Sequence, residues 1–406
     1  VTGWSLPLMF NIQSNTCNRV PSGDFELAGT DLFQAGSVDG GQASVSYIVP
    51  WGEATAVRFL ANALQAGIAL KSNDKGFTNN GNEYPAGSLI VDVADNAENL
   101  FSTVTEIAEK TGARVVAVND SWVTDGPNFG SGNVVRHNEI KIAMAWDEPT
   151  ASYSAGNTRF VIERQFDYPV TPIRVDRLRT ANLNRYQVLI LPVMNGAGYK
   201  SALGQIGIQN IKTWVSQGGV LISLGNATRF LADPDVDMLA VRRERGVVEL
   251  KEIPDTDRDE ATVQGQYLSE LEAYENQVVA LEDNPYSVSG VLVRADVHPE
   301  HWLSAGVAQE LNVLVRGVDI YTPIRINDGI NVARFQGPDD LLASGYLWEE
   351  NRKQLAYKPF VISQSSGAGE IVAFTQDPTV RAYLDGLNII LMNAIFRGSA
   401  HARPSR

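Results

Sequence analysis

Four histidines and one cysteine limit the chemistry open to this sequence of 406 residues. Zinc hydrolysis needs three protein ligands, two of them usually close together on one element. The histidines are His137, His298, His301 and His401, and none begins a His-x-x-Glu or His-Glu-x-x-His motif. His298-Pro-Glu-His301 could bring two imidazoles together at a helical turn. Pro299 and the adjacent Trp302-Leu303 instead suit a turn entering a packed segment, so the pair reads as structural. Cys17 lies in Ser14-Asn-Thr-Cys-Asn-Arg19, with no helix, strand or neighbouring histidine to favour a thiolate. Ser88 and Ser131 lack the Gly-x-Ser-x-Gly elbow of a hydrolase nucleophile and read as turn residues. Asn195-Gly-Ala-Gly-Tyr199 lacks Gly-x-Gly-x-x-Gly and a terminal Gly-Lys-Ser/Thr, which favours a tight turn over a phosphate cradle. What remains is a ligand-cleft candidate made of Asn195, Gly196, Gly225 and Asn226, with no catalytic or metal-ligating residue assigned.

These four residues depend on two apolar runs. Tyr186 to Val193 and Gly218 to Gly225 read as buried strands, with a helix from Ile206 to Gln217 between them. In an open parallel sheet the turns after such strands line the ligand crevice. The strand Ile140 to Trp146, a helix from Ala155 to Arg164 and an extended Val170 to Val175 precede them. Further upstream, strands at 43–50, 89–93 and 114–118 alternate with helices at 53–65 and 97–110, which predicts a small parallel α/β domain. Gly112 suits the left-handed cap of the second helix. The glycine-rich stretch 119–138 suits a loop joining two domains. Residues 233–284 are dense in Asp, Glu and Arg and suggest a surface insertion with a helical stretch at 266–274. Short alternating strands and a closing helix (386–396) complete the pattern.

The organisation expected is therefore an irregular layer or linker at 1–40, a small α/β domain at 41–120 and a larger doubly wound domain at 139–398. A formal net charge of −14 argues against a nucleic-acid partner, because phosphate contacts require clustered Lys and Arg. No run of about 18 apolar residues occurs, which argues against a membrane span. The chain opens Val1-Thr-Gly-Trp and is read as continuing a longer protein.

The order of segments carries a resemblance. Ile140 to Asn226 resembles the class I glutamine amidotransferase-like fold, a flavodoxin-like sheet flanked by helices. The whole chain resembles the region that follows the peptidase domain in a bacterial branch of the zinc carboxypeptidase family. The segments that carry this are Thr2-Gly-Trp-Ser-Leu-Pro7, Ser46-Tyr-Ile-Val-Pro50, Tyr84-Pro-Ala-Gly-Ser-Leu-Ile90, Tyr153-Ser-Ala-Gly156 and Tyr168-Pro-Val-Thr171. Val188-Leu-Ile-Leu-Pro192, His301-Trp-Leu-Ser-Ala-Gly306 and Phe374-Thr-Gln-Asp-Pro378 extend it towards the C-terminus.

The resemblance implies an accessory region without catalysis of its own. Zinc is expected only in an upstream peptidase domain, which would be the main partner, and the location would be periplasmic or secreted. The amidotransferase nucleophile is not carried over, because the elbow reads Gly225-Asn226-Ala227. A small-molecule module binding a sugar or an amino acid in the strand-end cleft is the first alternative, and a peptide or small molecule is the further partner expected. A hydrolase built from the acidic insertion and His298/His301 is the second.

Overall fold

A computed structural model describes residues 5–246 except 16, 27, 28, 30–32 and 197, together with 267, 269–271 and 285–402. The predicted helix at 266–274 and most of the charged insertion lie outside the described residues.

The first sheet is built from β1 (Ser37–Asp39), β2 (Ser46–Val49), β3 (Leu70–Asn73), β6 (Leu89–Asp92), β7 (Arg114–Val118) and β9 (Val134–His137). A separate three-stranded sheet holds β4 (Phe77–Asn79), β5 (Asn82–Tyr84) and β8 (Val123–Asp125). Helix α1 (Leu6–Met9) precedes them, α2 (Ala54–Gln65) follows β2, and α3 (Leu100–Thr111) follows β6. The order β1-β7-β2-β6-β3-β9 is not the parallel arrangement expected. β2 pairs antiparallel with both β6 and β7, and β3 antiparallel with β6 and β9; only β1 and β7 run parallel. Each helix does connect parallel strands, but an antiparallel strand lies between them. That interleaving is the split β-α-β, ferredoxin-like pattern. The misreading traces to β3: Leu70-Lys-Ser-Asn73 is too short and polar to show a strand period, so the helix was expected to lead straight to β6.

The stretch 119–138 supplies β8 and β9 to these sheets instead of only a linking loop. The N-terminal layer also joins the fold. Asn11 Nδ2 donates to the Glu310 carbonyl at 3.0 Å, and β1 closes one edge of the first sheet.

The second sheet contains β10 (Ile142–Trp146), β11 (Val170–Arg174), β12 (Val188–Leu191), β13 (Val220–Leu224) and β14 (Val288–Val297). It also takes in β15 (Glu310–Gly317), β16 (Ile330–Phe335), β17 (Leu342–Ser344), β18 (Pro359–Ser366) and β19 (Gly369–Phe374). Its parallel part runs β11-β10-β12-β13-β19, which is the 2-1-3-4-5 order of a flavodoxin-like sheet. Between the fourth and fifth of these strands the chain departs, adds antiparallel strands to the same sheet, and returns through the β18–β19 hairpin.

Both faces are covered, as a doubly wound sheet requires. Side chains alternate with the period of two of a strand. Ile142, Met144, Val188, Ile190, Val220 and Ile222 face a core shared with the first domain and the closing helical segment. Ala143, Ala145, Leu189, Leu191 and Leu221 face the long helix at Gly198–Ser216, which breaks at Gly204. The start of the charged insertion belongs to that second core. Val236, Leu239 and Val241 are buried there, contrary to the surface position expected.

Candidate functional site

The order of the parallel strands fixes where a ligand crevice can form. The chain reverses direction across the sheet between β10 and β12, and the crevice lies outside their carboxyl ends. A cavity of about 410 Å³ opens beside this point. Four elements deliver its wall. The helix Ser152–Phe160 brings Tyr153, the end of β13 brings Gly225 and Asn226, β15 brings Arg316, and the turn after β19 brings Gln376 and Asp377.

Asp377 is the buried acid of the site. Ser154 Oγ donates to its Oδ2 at 2.7 Å, while the Thr379 amide (2.8 Å) and hydroxyl (2.7 Å) donate to its Oδ1. Burial pushes this carboxyl above its ordinary range, and the Ser154 and Thr379 hydrogen bonds oppose that. Ser154 Oγ also accepts from the Val193 amide at 3.2 Å, so one hydroxyl ties the ends of β12 and β19 together.

The bases differ in how far they are committed. Arg229 grips Asp319 through two bonds of 2.5 and 2.8 Å, and Arg243 adds a third contact to the same carboxylate at 3.2 Å. Arg316 is exposed and has no carboxylate partner among the described residues. Its amide donates to Gln376 Oε1 at 3.2 Å. Its guanidinium lies over the Tyr153 ring at 5.6 Å and donates to that phenol oxygen at 3.2 Å.

The predicted cleft residues divide. Gly225 and Asn226 line the cavity; Asn195 and Gly196 do not. The Asn195 amide donates to the Pro149 carbonyl at 2.7 Å, which closes its turn against the loop after β10. Asn226 is spent on structure. Its Oδ1 accepts from the Met194 amide at 2.8 Å and its Nδ2 donates to the Met194 carbonyl at 2.9 Å. Gly225 holds the elbow at φ +56°, and a Cβ there would meet Val193 Cγ2 at 2.9 Å. The position where an amidotransferase-like elbow would present a nucleophile thus has neither the residue nor room for one.

A second polar cluster sits where the two sheets meet, and its residues were not brought together by sequence spacing. Arg397 is 1% exposed. It ion-pairs with Asp74, donates to Ser72 Oγ at 3.0 Å and donates to the Trp302 carbonyl at 3.2 Å. Ser72 Oγ also shares a hydrogen bond of 2.8 Å with His137 Nε2, whose direction follows the imidazole tautomer. His401 lies 3.3 Å from Asp74 and stacks on Trp302 with centroids 4.8 Å apart. Burial, then the Arg397 and His401 charges, lower His137 to about 3; burial, then His401 and His298, lower His301 to about 4. Burial raises Asp74, but the His401 hydrogen bond and the Arg397 charge outweigh it and hold the carboxyl below its usual range. Ser72 and His137 form a serine–histidine pair with a base at bonding distance. Both are buried, and neither lines the strand-end cavity.

The remaining candidates take structural positions. His298 Nδ1 accepts from the Glu300 amide and His301 Nδ1 from the Leu303 amide, so both close turns. His298-Pro-Glu300 has the His-x-Glu spacing of an amidotransferase triad, but neither residue lines the strand-end cavity, and Glu300 pairs with Lys75 of the first domain. Ser88 Oγ donates to the Pro85 carbonyl, Ser131 Oγ accepts from the Asn133 amide, and Cys17 is exposed. Among the described residues no group of three His, Cys, Asp or Glu side chains is placed to hold a metal. Nor is any helix among them long and apolar enough to cross a membrane.

Neither a family model nor a curated protein matches the sequence. Similar solved structures include a ThuA-like protein from Parabacteroides merdae ATCC 43184, 12% identical over 66% of this chain and 92% of that one, with a TM-score of 0.40. A glutamine amidotransferase from Thermotoga maritima is 10% identical over 65% of this chain and 99% of its own, with a TM-score of 0.39. The β-galactosidase from Bacillus circulans sp. alkalophilus is 13% identical over 66% of this chain and 32% of that one, with a TM-score of 0.37. At such values the strand order above, not the likeness, is what argues the fold.

The sequence contained one usable signal for the cleft. Tyr153-Ser-Ala-Gly156 and Phe374-Thr-Gln-Asp-Pro378, two of the segments that carry the family resemblance, supply Tyr153, Ser154 and Asp377. Arg316 gave no signal, since nothing in the strand around it marks its end as a cavity wall.

Proposed function

We propose that this chain is a non-catalytic accessory region that works beside an upstream zinc carboxypeptidase-type domain, in the periplasm or outside the cell. Its strand-end cleft would hold part of the peptide or cell-wall-type substrate that the peptidase cleaves. One observation carries the non-catalytic reading: the elbow that could carry a nucleophile is a left-handed Gly225 whose missing side chain would run into Val193. Four of the eight resemblance segments supply residues to the cleft or to the interdomain cluster, which supports the family reading. Zinc would be held by the peptidase domain; it has no role in the cleft.

The test compares residues 1–406 with the protein expressed from the full reading frame. The longer protein is expected to hydrolyse peptides in a zinc-dependent way, and residues 1–406 are expected to bind no zinc and cleave nothing. Zinc-dependent hydrolysis by residues 1–406 alone would overturn the reading, as would a frame without a His-x-x-Glu domain upstream.

A further inference from the structure

We infer that the strand-end cleft recognises an organic carboxylate, with Arg316 as the residue that binds it and Tyr153 as the residue that holds Arg316 in place. The inference rests on the reading of this cleft as a ligand site and names what enters it.

The chain carries a formal net charge of −14, so a cation that faces a cavity without a hydrogen-bonded carboxylate among the described residues stands out, even with its charge felt by Asp377. In the cleft wall, the charge of Asp319 is already balanced by Arg229 and Arg243. Asp377 is buried with three donors on its oxygens, and its ionised form is disfavoured by burial. Arg316 is the base whose fork remains open on the solvent side.

The guanidinium is also ordered before any ligand arrives. Gln376 fixes its backbone and the Tyr153 ring fixes its head, so little side-chain freedom is left to lose on binding. One Nη2 hydrogen is used on the phenol; the other still runs parallel to an N–H of Nε or Nη1, and that edge matches the two oxygens of a planar carboxylate. Gly225 and Asp377 both line the cavity, and about 410 Å³ accommodates a ligand of several residues' side-chain bulk. A remaining lone pair of Asp377 can accept from an amide or hydroxyl of the same ligand. The chemistry is that of a small carboxylic acid or of a peptide's free C-terminus.

Calorimetric titration of the folded chain tests this with N-acetylalanine, N-acetyl-trialanine, the C-terminal amides of both, inorganic phosphate and glucose. The free acids are expected to bind, with each amide about tenfold weaker or worse. Arg316→Met should abolish the preference for acid over amide, and Arg316→Lys should retain only part of it, because a point charge lacks the fork. Preference for the trialanine acid would assign the site to peptide C-termini, and equal binding would assign it to small acids; either outcome supports the carboxylate. Equal binding of acids and amides would overturn it, as would Arg316→Met binding like wild type at an unchanged melting temperature. Glucose or phosphate binding without the acids would overturn the carboxylate class and leave the ligand cleft standing. No binding by any probe would remove both.

Discussion

The cleft and the interdomain cluster use the same side-chain types to opposite ends. In the cluster, Arg397 spends its donors on Asp74, Ser72 and the Trp302 carbonyl and is 1% exposed. In the cleft, Arg316 is exposed and rests on one tyrosine. Serines differ in the same way. Ser72 is closed between Arg397 and His137, whereas Ser154 orients an acid that borders a cavity. A Ser–His contact is the more enzyme-like motif by type, and here it is the one buried away from the strand-end cavity. Access and unused bonding capacity separate a site from a brace; residue identity does not.

Three perturbations probe that contrast. The largest effect is expected from Arg397→Met, which leaves Asp74 partly buried without its main partner and should cost about 3–5 kcal/mol in denaturant unfolding. Arg316→Met should stay within about 0.5 kcal/mol of wild type, since it removes an exposed group with no ion pair among the described residues. Equal losses at the two arginines would erase the distinction.

Acid should come next. His137 and His301 titrate at about 3 and about 4 when folded, against 6.5 when unfolded. The unfolded chain therefore takes up protons that the folded chain refuses. The stability they contribute is complete above pH 6.5 and is lost as pH falls towards 4, on the order of 2 kcal/mol per imidazole by pH 5. Asp377, Glu370 and Asp385 have raised pKa values and act in the opposite sense. His137→Asn should flatten the dependence of the unfolding midpoint on pH between 7 and 5. An unchanged slope would show that the histidines of the cluster are not its acid-sensitive part.

The smallest of the three concerns the elbow. Gly225→Ala should lose about 1–2 kcal/mol, because it places a Cβ at φ +56° and against Val193. A neutral or stabilising result would mean that the elbow could carry a side chain after all.

The strands that bury both faces were readable because each is a near-continuous apolar run, as at Val188–Leu191 and Val220–Leu224. Gly112, predicted as a left-handed cap, has φ +75°. The first sheet was misread because β3 buries Ser72 and Asn73, and a strand that buries polar groups gives no hydrophobic period. The cleft was half legible. Gly225 and Asn226 follow from strand ends alone, but Tyr153, Arg316 and Asp377 meet only after the chain has crossed the sheet and returned through a hairpin. Asn195 was misplaced because backbone closure onto Pro149 decides where that turn points, and no side-chain pattern encodes it.

The clamp at Arg397 and Asn393 also sets an order of events during synthesis. Trp51 Nε1 donates to Asn393 Oδ1 and Ser72 Oγ accepts from Arg397, across separations of 342 and 325 residues. At ~5–20 residues per second, the roughly 260 residues from the end of the first sheet to Arg397 take about 13–52 s to emerge. Throughout that interval the N-terminal sheet stands on the ribosome with the surface around Trp51, Ser72 and Gly87 uncovered. Of the two domains described, the one made earlier is secured last.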